Sequence, residues 1–281
     1  MAEIVLITGL SGAGRSGAAD VLEDLGWYVI DNLPTTLIDT IVDLAAGPGA
    51  EIDRLALVGG RRHETLADKV HELREQGHDV TTLFLDATTA ALVSRYDATR
   101  RRHPLADQVD GLVEAIELER RELQPVRAVA DLVIDTTDLN VHELTERIGS
   151  AFTSGAGGEM QVSIGSFGFK HGAPRDADIV IDVRFLPNPH WVPDLRPLTG
   201  LDDAVREHVL GNEAAEDFLD RFDGLLDSLL PRYATGGRSY VTVGVGCTGG
   251  RHRSVAIAEE LARRQRDRGR SVRTTHRDLA T

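Results

Sequence analysis

Two stretches carry residue types at spacings suited to holding anions. The first, Gly9-Leu10-Ser11-Gly12-Ala13-Gly14-Arg15-Ser16, reads G-x-x-x-x-G-R-S. This is the phosphate-loop pattern with arginine in the place of the usual lysine. Its glycines let the main chain curl so that successive N–H groups point at an anion. The helix expected after it adds unpaired N–H groups and the positive end of its dipole. Ser16 can place a hydroxyl on magnesium. Arg15 keeps the positive charge as a bulkier fork, which suits binding with slow hydrolysis. The second stretch, Cys247-Thr248-Gly249-Gly250-Arg251-His252-Arg253-Ser254, reads C-x5-R-S. Its amides could wrap an anion, with Arg253 forking onto the oxygens. The same spacing serves cysteine-dependent phosphatases, in which a helix N-terminus and an arginine lower the thiol pKa. In that reading Asp194 is a possible acid; in the other, Cys247 is a small residue tucked under the loop.

These loops need strands and helices to position them. Ile4–Ile7 is a short apolar run that ends at the first loop, and Ser16–Leu25 follows with helical periodicity. Strands are expected at Trp27–Ile30, Leu55–Val58, Thr82–Asp86 and Leu132–Asp135, with helices at Thr36–Ala46, Glu64–Gln76, Ala90–Arg102, Gly111–Leu123 and Val141–Phe152. Alternating strands and helices predict a parallel α/β sheet with ligands at the carboxyl ends of the strands. Asp31 closes the second strand, where it could hold magnesium through water, position a nucleophile, or cap a turn. Gly59-Gly60-Arg61-Arg62 follows the third strand beside the same site. Arg95, Arg100, Arg101, Arg102 and His103 form a cationic run that could close over phosphates, or be a solvated helix end.

Ser154-Gly155-Ala156-Gly157-Gly158 is the natural linker, dividing a first domain, 1–153, from a second α/β domain, 159–281. In the second half, strands are expected at Met160–Ile164, Asp178–Val183 and Ser239–Val245, and helices at Leu201–His208, Glu213–Leu230 and Val255–Arg266. Lys170 and His171 precede the second of these strands. Arg184, His190 and Trp191 lie on the proline-rigid loop after it, which suits a site better than a core.

A net charge of −14 in 281 residues argues against a general nucleic-acid coat or a binder of anionic membranes. The tail runs against this trend, with nine arginines and four acids from Arg251 to Thr281. Such a run could meet an RNA backbone or a phosphorylated metabolite, or be a solvated helix face with paired charges. One cysteine excludes an internal disulfide, and neither a signal peptide nor a membrane span is evident. Together these place the chain in the cytoplasm.

The chain resembles the RapZ/YvcJ family of bacterial nucleotide-binding proteins nearly end to end. The likeness rests on the Gly9–Ser16 loop, Asp31-Asn32-Leu33-Pro34, Thr99–Leu105, Ser166–Gly172, Asp182–Trp191 and Gly246–Ser254. It implies a P-loop kinase-like first domain that binds ATP and GTP with magnesium and hydrolyses them weakly. It implies a second domain that binds a phosphorylated aminosugar and, in some members, a small RNA destined for ribonuclease cleavage, within homo-oligomers that act as regulatory adapters. Lys170, His190, Thr248 and Arg253 match positions tied to ligand or RNA function. With His171, Arg184, Cys247, Gly249, Gly250 and His252 they form the candidate phospho-ligand set; Arg15, Ser16 and Asp31 are the candidate catalytic residues. Arg15 departs from the family's lysine. Gly59-Gly60-Arg61-Arg62 departs from an Asp-x-Arg motif assigned to GTP. A small-molecule kinase and a cysteine-dependent phosphatase are the rival enzyme readings.

Overall fold

The computed structural model describes residues 3–47, 52–59, 66–153, 160–235, 238 and 240–279. The chain forms two compact units, Met1–Gly157 and Gly158–Thr281. Gly60, Arg61, Arg62 and the Ser154–Gly158 segment lie outside the described residues.

In the first unit, β1 (Glu3–Gly9), β2 (Tyr28–Leu33), β3 (Arg54–Gly59), β4 (Asp79–Asp86) and β5 (Leu132–Asp135) form one sheet in the order β2-β3-β1-β4-β5. Every pairing in it is parallel. Ile4, Val5, Leu6 and Ile7 of the central strand are all buried, which is why that stretch is uniformly apolar and not alternating. The helices are α1 (Arg15–Asp24), α2 (Ile38–Ala46), α3 (Leu66–Glu75), α4 (Thr89–Thr99), α5 (Leu112–Ala128) and α6 (Val141–Thr153). The chain leaves β1 toward β2, whereas neighbouring β4 leads toward β5. Their connections therefore part at the carboxyl ends of β1 and β4, the place where such sheets hold ligands.

Two helix ends differ from expectation. The helix containing Arg95 stops at Thr99, because Arg100 takes a left-handed conformation with φ 53° and gives its N–H to Tyr96. The arginine run thus leaves the helix instead of ending it, and the solvated-helix-end reading does not apply to Arg101 and Arg102. α5 continues through Pro125 to Ala128. Proline there removes one helical hydrogen bond near the C-terminus, and burial of Leu123 and Val126 keeps the last turn in place.

The second unit has β6 (Gln161–Gly168), β7 (Ile179–Asp182), β8 (Tyr240–Cys247) and β9 (Ser271–His276), all parallel, in the order β7-β8-β6-β9. Its helices are α7 (Asp203–Leu210), α8 (Glu213–Thr235) and α9 (Arg253–Asp267). α9 packs on β6, β8 and β9 and buries Val255, Ala256, Ile257, Ala258, Leu261 and Ala262. β9 was not expected, since its segment reads as part of a basic tail. Val272, Thr274 and Thr275 supply the β-branched character that lets it join the sheet beside β6. Among the described residues, no helix is long and apolar enough to cross a membrane.

Candidate functional site

The first loop leaves β1 through Gly9, whose φ is 137°. A Cβ at this position would lie 2.2 Å from the Leu85 carbonyl oxygen, so only glycine passes. Leu10 N–H donates to Leu85 O at 3.1 Å and Ala13 N–H to Leu10 O at 2.9 Å. The Ser11 amide donates to Glu119 Oε2 at 2.9 Å. Gly9, Leu10 and Ala13 are thus the loop's scaffold and do not line the cleft. Gly12, Gly14, Arg15 and Ser16 do, together with Ser11. Gly14 caps α1 with φ 105°, no side-chain cap is present, and no acid lies in the first turn. The opening N–H groups from Gly14 to Gly17 therefore have no partner within the helix, which is the arrangement of an anion site.

The cleft has a volume of about 670 Å³. Asp31, Asn32, Val58 and Gly59 form the wall facing the loop, and Arg95, Tyr96, Thr99, Arg101, Arg102 and Pro104 form another. Asn32 is held at φ 54°, with its N–H on Asp31 Oδ1 at 2.6 Å. The same turn brings Asp31 into the cleft; its carboxylate caps neither of the helices that follow, whose N-caps are Pro34 and Leu37 without side-chain bonds. Arg95 is fixed by Gly12 O at 3.1 Å and Thr136 Oγ1 at 3.0 Å. Thr136 Oγ1 also donates to Ala13 O at 3.0 Å, so Arg95 and Thr136 clamp the loop's carbonyls. Arg102 pairs with Asp107. Arg15 spans Ser11 Oγ at 3.3 Å and Gly59 O at 3.4 Å. Burial pushes the Tyr96 phenol up, and the charge of Glu119 adds to this.

Ser16 and Asp31 both line the cleft as hard-oxygen donors, the chemistry magnesium selects. Among the described residues, no group of three His, Cys, Asp or Glu could hold a metal alone. An ion here would take most of its ligands from phosphate and water.

Glu119 and His103 complete the site from beneath. Glu119 is 3% exposed and His103 4%, and His103 Nε2 lies 3.2 Å from Glu119 Oε2. Glu119 was not foreseen, and His103 was read only as part of a cationic run.

In the second unit, Gly168 and Gly250 are packed main chain against main chain. A Cβ on Gly168 would lie 2.5 Å from the Gly249 carbonyl carbon. Asp278 pins this contact: its Oδ2 accepts Gly168 N–H at 2.6 Å and its Oδ1 lies 2.9 Å from His171 Nδ1. Lys170 N–H donates to Thr248 O at 3.2 Å. Lys170, His171, Arg184, His190 and Thr248 are exposed, whereas Cys247, Gly250, His252 and Arg253 are buried. Cys247 Sγ lies 3.1 Å from Ser254 Oγ and accepts Gly250 N–H at 3.2 Å. Burial pushes this thiol up, but the hydrogen bonds from Ser254 and Gly250 and the charge of Arg253 outweigh it and set it below its usual range. Arg253 sends Nη1 to the carbonyls of Arg184 and Leu186, at 2.7 and 3.0 Å, and Nη2 to Thr248 Oγ1 at 3.3 Å. It ties loops together. The thiol itself is buried under the loop.

The basic tail is largely neutralised inside its own unit. Arg264 reaches Asp220 at 2.6 Å and Asp223 at 3.3 Å, Arg268 reaches Asp223 at 3.3 Å, and Arg270 reaches Asp227 at 2.6 Å. Arg263 pairs with Glu260 and Asp267, and Arg277 with Asp278. Five of the nine arginines of this stretch are thus paired with acids.

A parallel β2-β3-β1-β4-β5 sheet whose central strand enters a glycine loop and an uncapped helix defines a P-loop kinase-like α/β protein. The model of the RapZ-like N-terminal domain matches residues 2–156, and that of the RapZ C-terminal domain matches residues 160–280. The chain belongs to the RapZ family. A relative from Acidothermus cellulolyticus, called a nucleotide-binding protein, is 50% identical, with 99% of this chain and 92% of the relative covered. One from Mycolicibacterium paratuberculosis with the same name is 52% identical, with the same coverage. A solved structure of shikimate kinase from Bacteroides thetaiotaomicron is similar over 54% of this chain and 98% of its own, at 15% identity and a TM-score of 0.39.

Proposed function

We propose that the first unit binds a nucleoside triphosphate, ATP or GTP, with magnesium, and hydrolyses it slowly. The observation that carries this is the uncapped start of α1, Gly14–Gly17, opening with Arg15 into a cleft that Arg95, Arg101 and Arg102 share. In this reading the amides and Arg15 hold the phosphate oxygens. Ser16 gives its hydroxyl to the metal, which offsets phosphate charge when bound. Arg101 and Arg102 offset charge that develops as the terminal phosphate leaves. Asp31 orients the attacking water. Hydrolysis is slow because Arg15 is committed to Ser11 and Gly59 and is less free than a lysine to follow the moving phosphate.

The second unit is read as the sensor, binding a phosphorylated aminosugar at the Thr248–Gly250 turn and its exposed rim of Lys170, His171, Arg184 and His190. The whole would act as a regulatory adapter in a homo-oligomer. A role in holding small RNA for a ribonuclease would draw on that rim and the exposed Trp191, not on the acid-paired Arg263, Arg264, Arg268, Arg270 and Arg277. Calorimetric titration of the full chain with ATP, GTP and aminosugar phosphates, with magnesium present, tests both sites. Uptake of a triphosphate and an aminosugar phosphate at separate, non-competing sites is expected. No uptake of any nucleotide at millimolar levels would overturn the reading of the first unit, and none of any sugar phosphate that of the second.

A further inference from the structure

Beneath the first loop the hydrogen bonds run in a fixed direction. His103 Nδ1 accepts the Leu105 N–H at 3.1 Å, which leaves Nε2 to donate to Glu119 Oε2 at 3.2 Å. The same oxygen accepts the Ser11 amide at 2.9 Å. Both donors are irreversible, one being main chain and the other a fixed tautomer. The second oxygen, Oε1, takes the Ser11 hydroxyl proton at 2.6 Å. A hydroxyl has one proton and two lone pairs. With its proton on Glu119, Ser11 Oγ must present lone pairs outward, and Arg15 Nη2 donates to it at 3.3 Å. Burial pushes the Glu119 carboxyl up, but the bonds from His103 and Ser11 outweigh this and keep it ionised at neutral pH.

We propose that Glu119, which lies outside the loop pattern, is the positioning residue of this site: it sets the proton direction at Ser11 that orients Arg15, and through His103 it anchors Arg101 and Arg102 to the same loop. The two arginines stand immediately before His103 in sequence and line the cleft, so their reach is measured from a buried anchor. The inference rests on the nucleotide reading of the cleft. It goes beyond that reading in assigning the loop's geometry to a helix residue more than a hundred positions away.

Glu119→Gln tests it by reversing the donor at Ser11 Oγ. The lone carboxamide oxygen must stay with the Ser11 amide and His103, so its NH2 falls against Ser11 Oγ. The hydroxyl then accepts there and turns its own proton to the side where Arg15 lies. In the full chain, titrated with MgATP, this variant is expected to bind about tenfold more weakly, with its thermal midpoint little changed. In an Arg15→Ala background the same change is expected to have less than about a twofold effect, because the group it positions is gone. Ser11→Ala, which leaves the carboxylate in place, is expected to weaken binding similarly and to lose its effect in the Arg15→Ala background too; it carries the test if Glu119→Gln does not fold. Undiminished losses in that background would overturn the proposal, as would wild-type affinity in Glu119→Gln. Amide hydrogen exchange without nucleotide is a separate arm. Faster exchange at Ser11 and Leu105 in Glu119→Gln supports the anchoring, and unchanged exchange overturns it. If the wild-type chain takes up no nucleotide, the reading of the cleft fails on its own account, and the exchange arm still decides the anchoring.

Discussion

Arg253 Nη1 donates to the main-chain oxygen of Arg184 at 2.7 Å, directing inward a guanidinium that sequence spacing would aim at a bound anion. The same nitrogen reaches Leu186 O at 3.0 Å. The loop after β7 is thereby fastened to the first residue of α9. Lysine keeps the charge but cannot span two carbonyls and a hydroxyl at once. Arg253→Lys is expected to lower the stability of the second unit by about 2 kcal/mol, seen as a lower urea midpoint, and to free the 184–191 loop for faster amide exchange. An unchanged midpoint would count against this role.

Asp223 is 2% exposed and receives Gln265 Nε2 at 2.6 Å, Arg264 at 3.3 Å and Arg268 at 3.3 Å. Removing its charge leaves two arginines facing a weaker acceptor on a buried seam between α8 and α9. Asp223→Asn is expected to cost about 3 kcal/mol, read by chemical denaturation. The exposed pair of Arg221 and Asp217 provides the contrast: Asp217→Asn should leave the denaturation midpoint unchanged, because solvent screens the pair.

Gly9→Ala puts a methyl group where the Leu85 carbonyl already stands, on a backbone that side chains disfavour. The first unit is expected to lose about 3 kcal/mol or more. Thermal unfolding followed at Trp27, which lies in that unit, should report it. Alanine at Gly26, where a Cβ meets nothing within 4 Å but φ is 85°, is expected to cost only about 1 kcal/mol.

His252 gives a pH signature. Burial pulls its imidazole below the usual range, and the charge of Arg251 adds to this, against the opposing bond to Arg196 O. An unfolded histidine takes its proton near about pH 6.5, whereas the folded one takes it only at lower pH. Between these limits the unfolded state binds the extra proton, so stability is full above about 6.5 and falls on acidification. Unfolding free energy measured from pH 7 to 5 should decline less steeply in His252→Gln, which keeps an N–H donor and does not titrate. An equal slope in the variant would contradict the assignment.

The first loop and its strand were legible because both depend on neighbouring residues: a run of apolar side chains, then glycines at fixed offsets. The cleft's floor was not. Glu119 sits in the run Glu117-Leu118-Glu119-Arg120-Arg121-Glu122, where only its helical spacing from Ile116, Leu123 and Val126 marks it off from the acids beside it. Its partner Ser11 is 108 residues away, and only the folded sheet brings them together. The arginine run was visible as composition, but its departure from the helix depends on the left-handed turn at Arg100. β9 escaped notice because Arg273 interrupts its β-branched residues and Arg270 and Arg277 flank it, and three of the acids that pair with the tail, Asp220, Asp223 and Asp227, lie on α8. The second loop was found by its spacing, yet spacing could not show that Arg253 turns inward.

The position of β6 has a consequence for biosynthesis. It is the first strand of its sheet to leave the ribosome, yet it pairs on one side with β8 and on the other with β9. Until both arrive, a ribbon with two bare hydrogen-bonding edges stands unpaired, a template for mispairing. In the first unit β1 waits likewise for β3 and β4, but these begin at Arg54 and Asp79, a shorter interval than that from β6 to Tyr240 and Ser271. Chaperone dependence of this chain should therefore concentrate in its latter half, and a nascent polypeptide stalled between Cys247 and Ser271 should be its most vulnerable state.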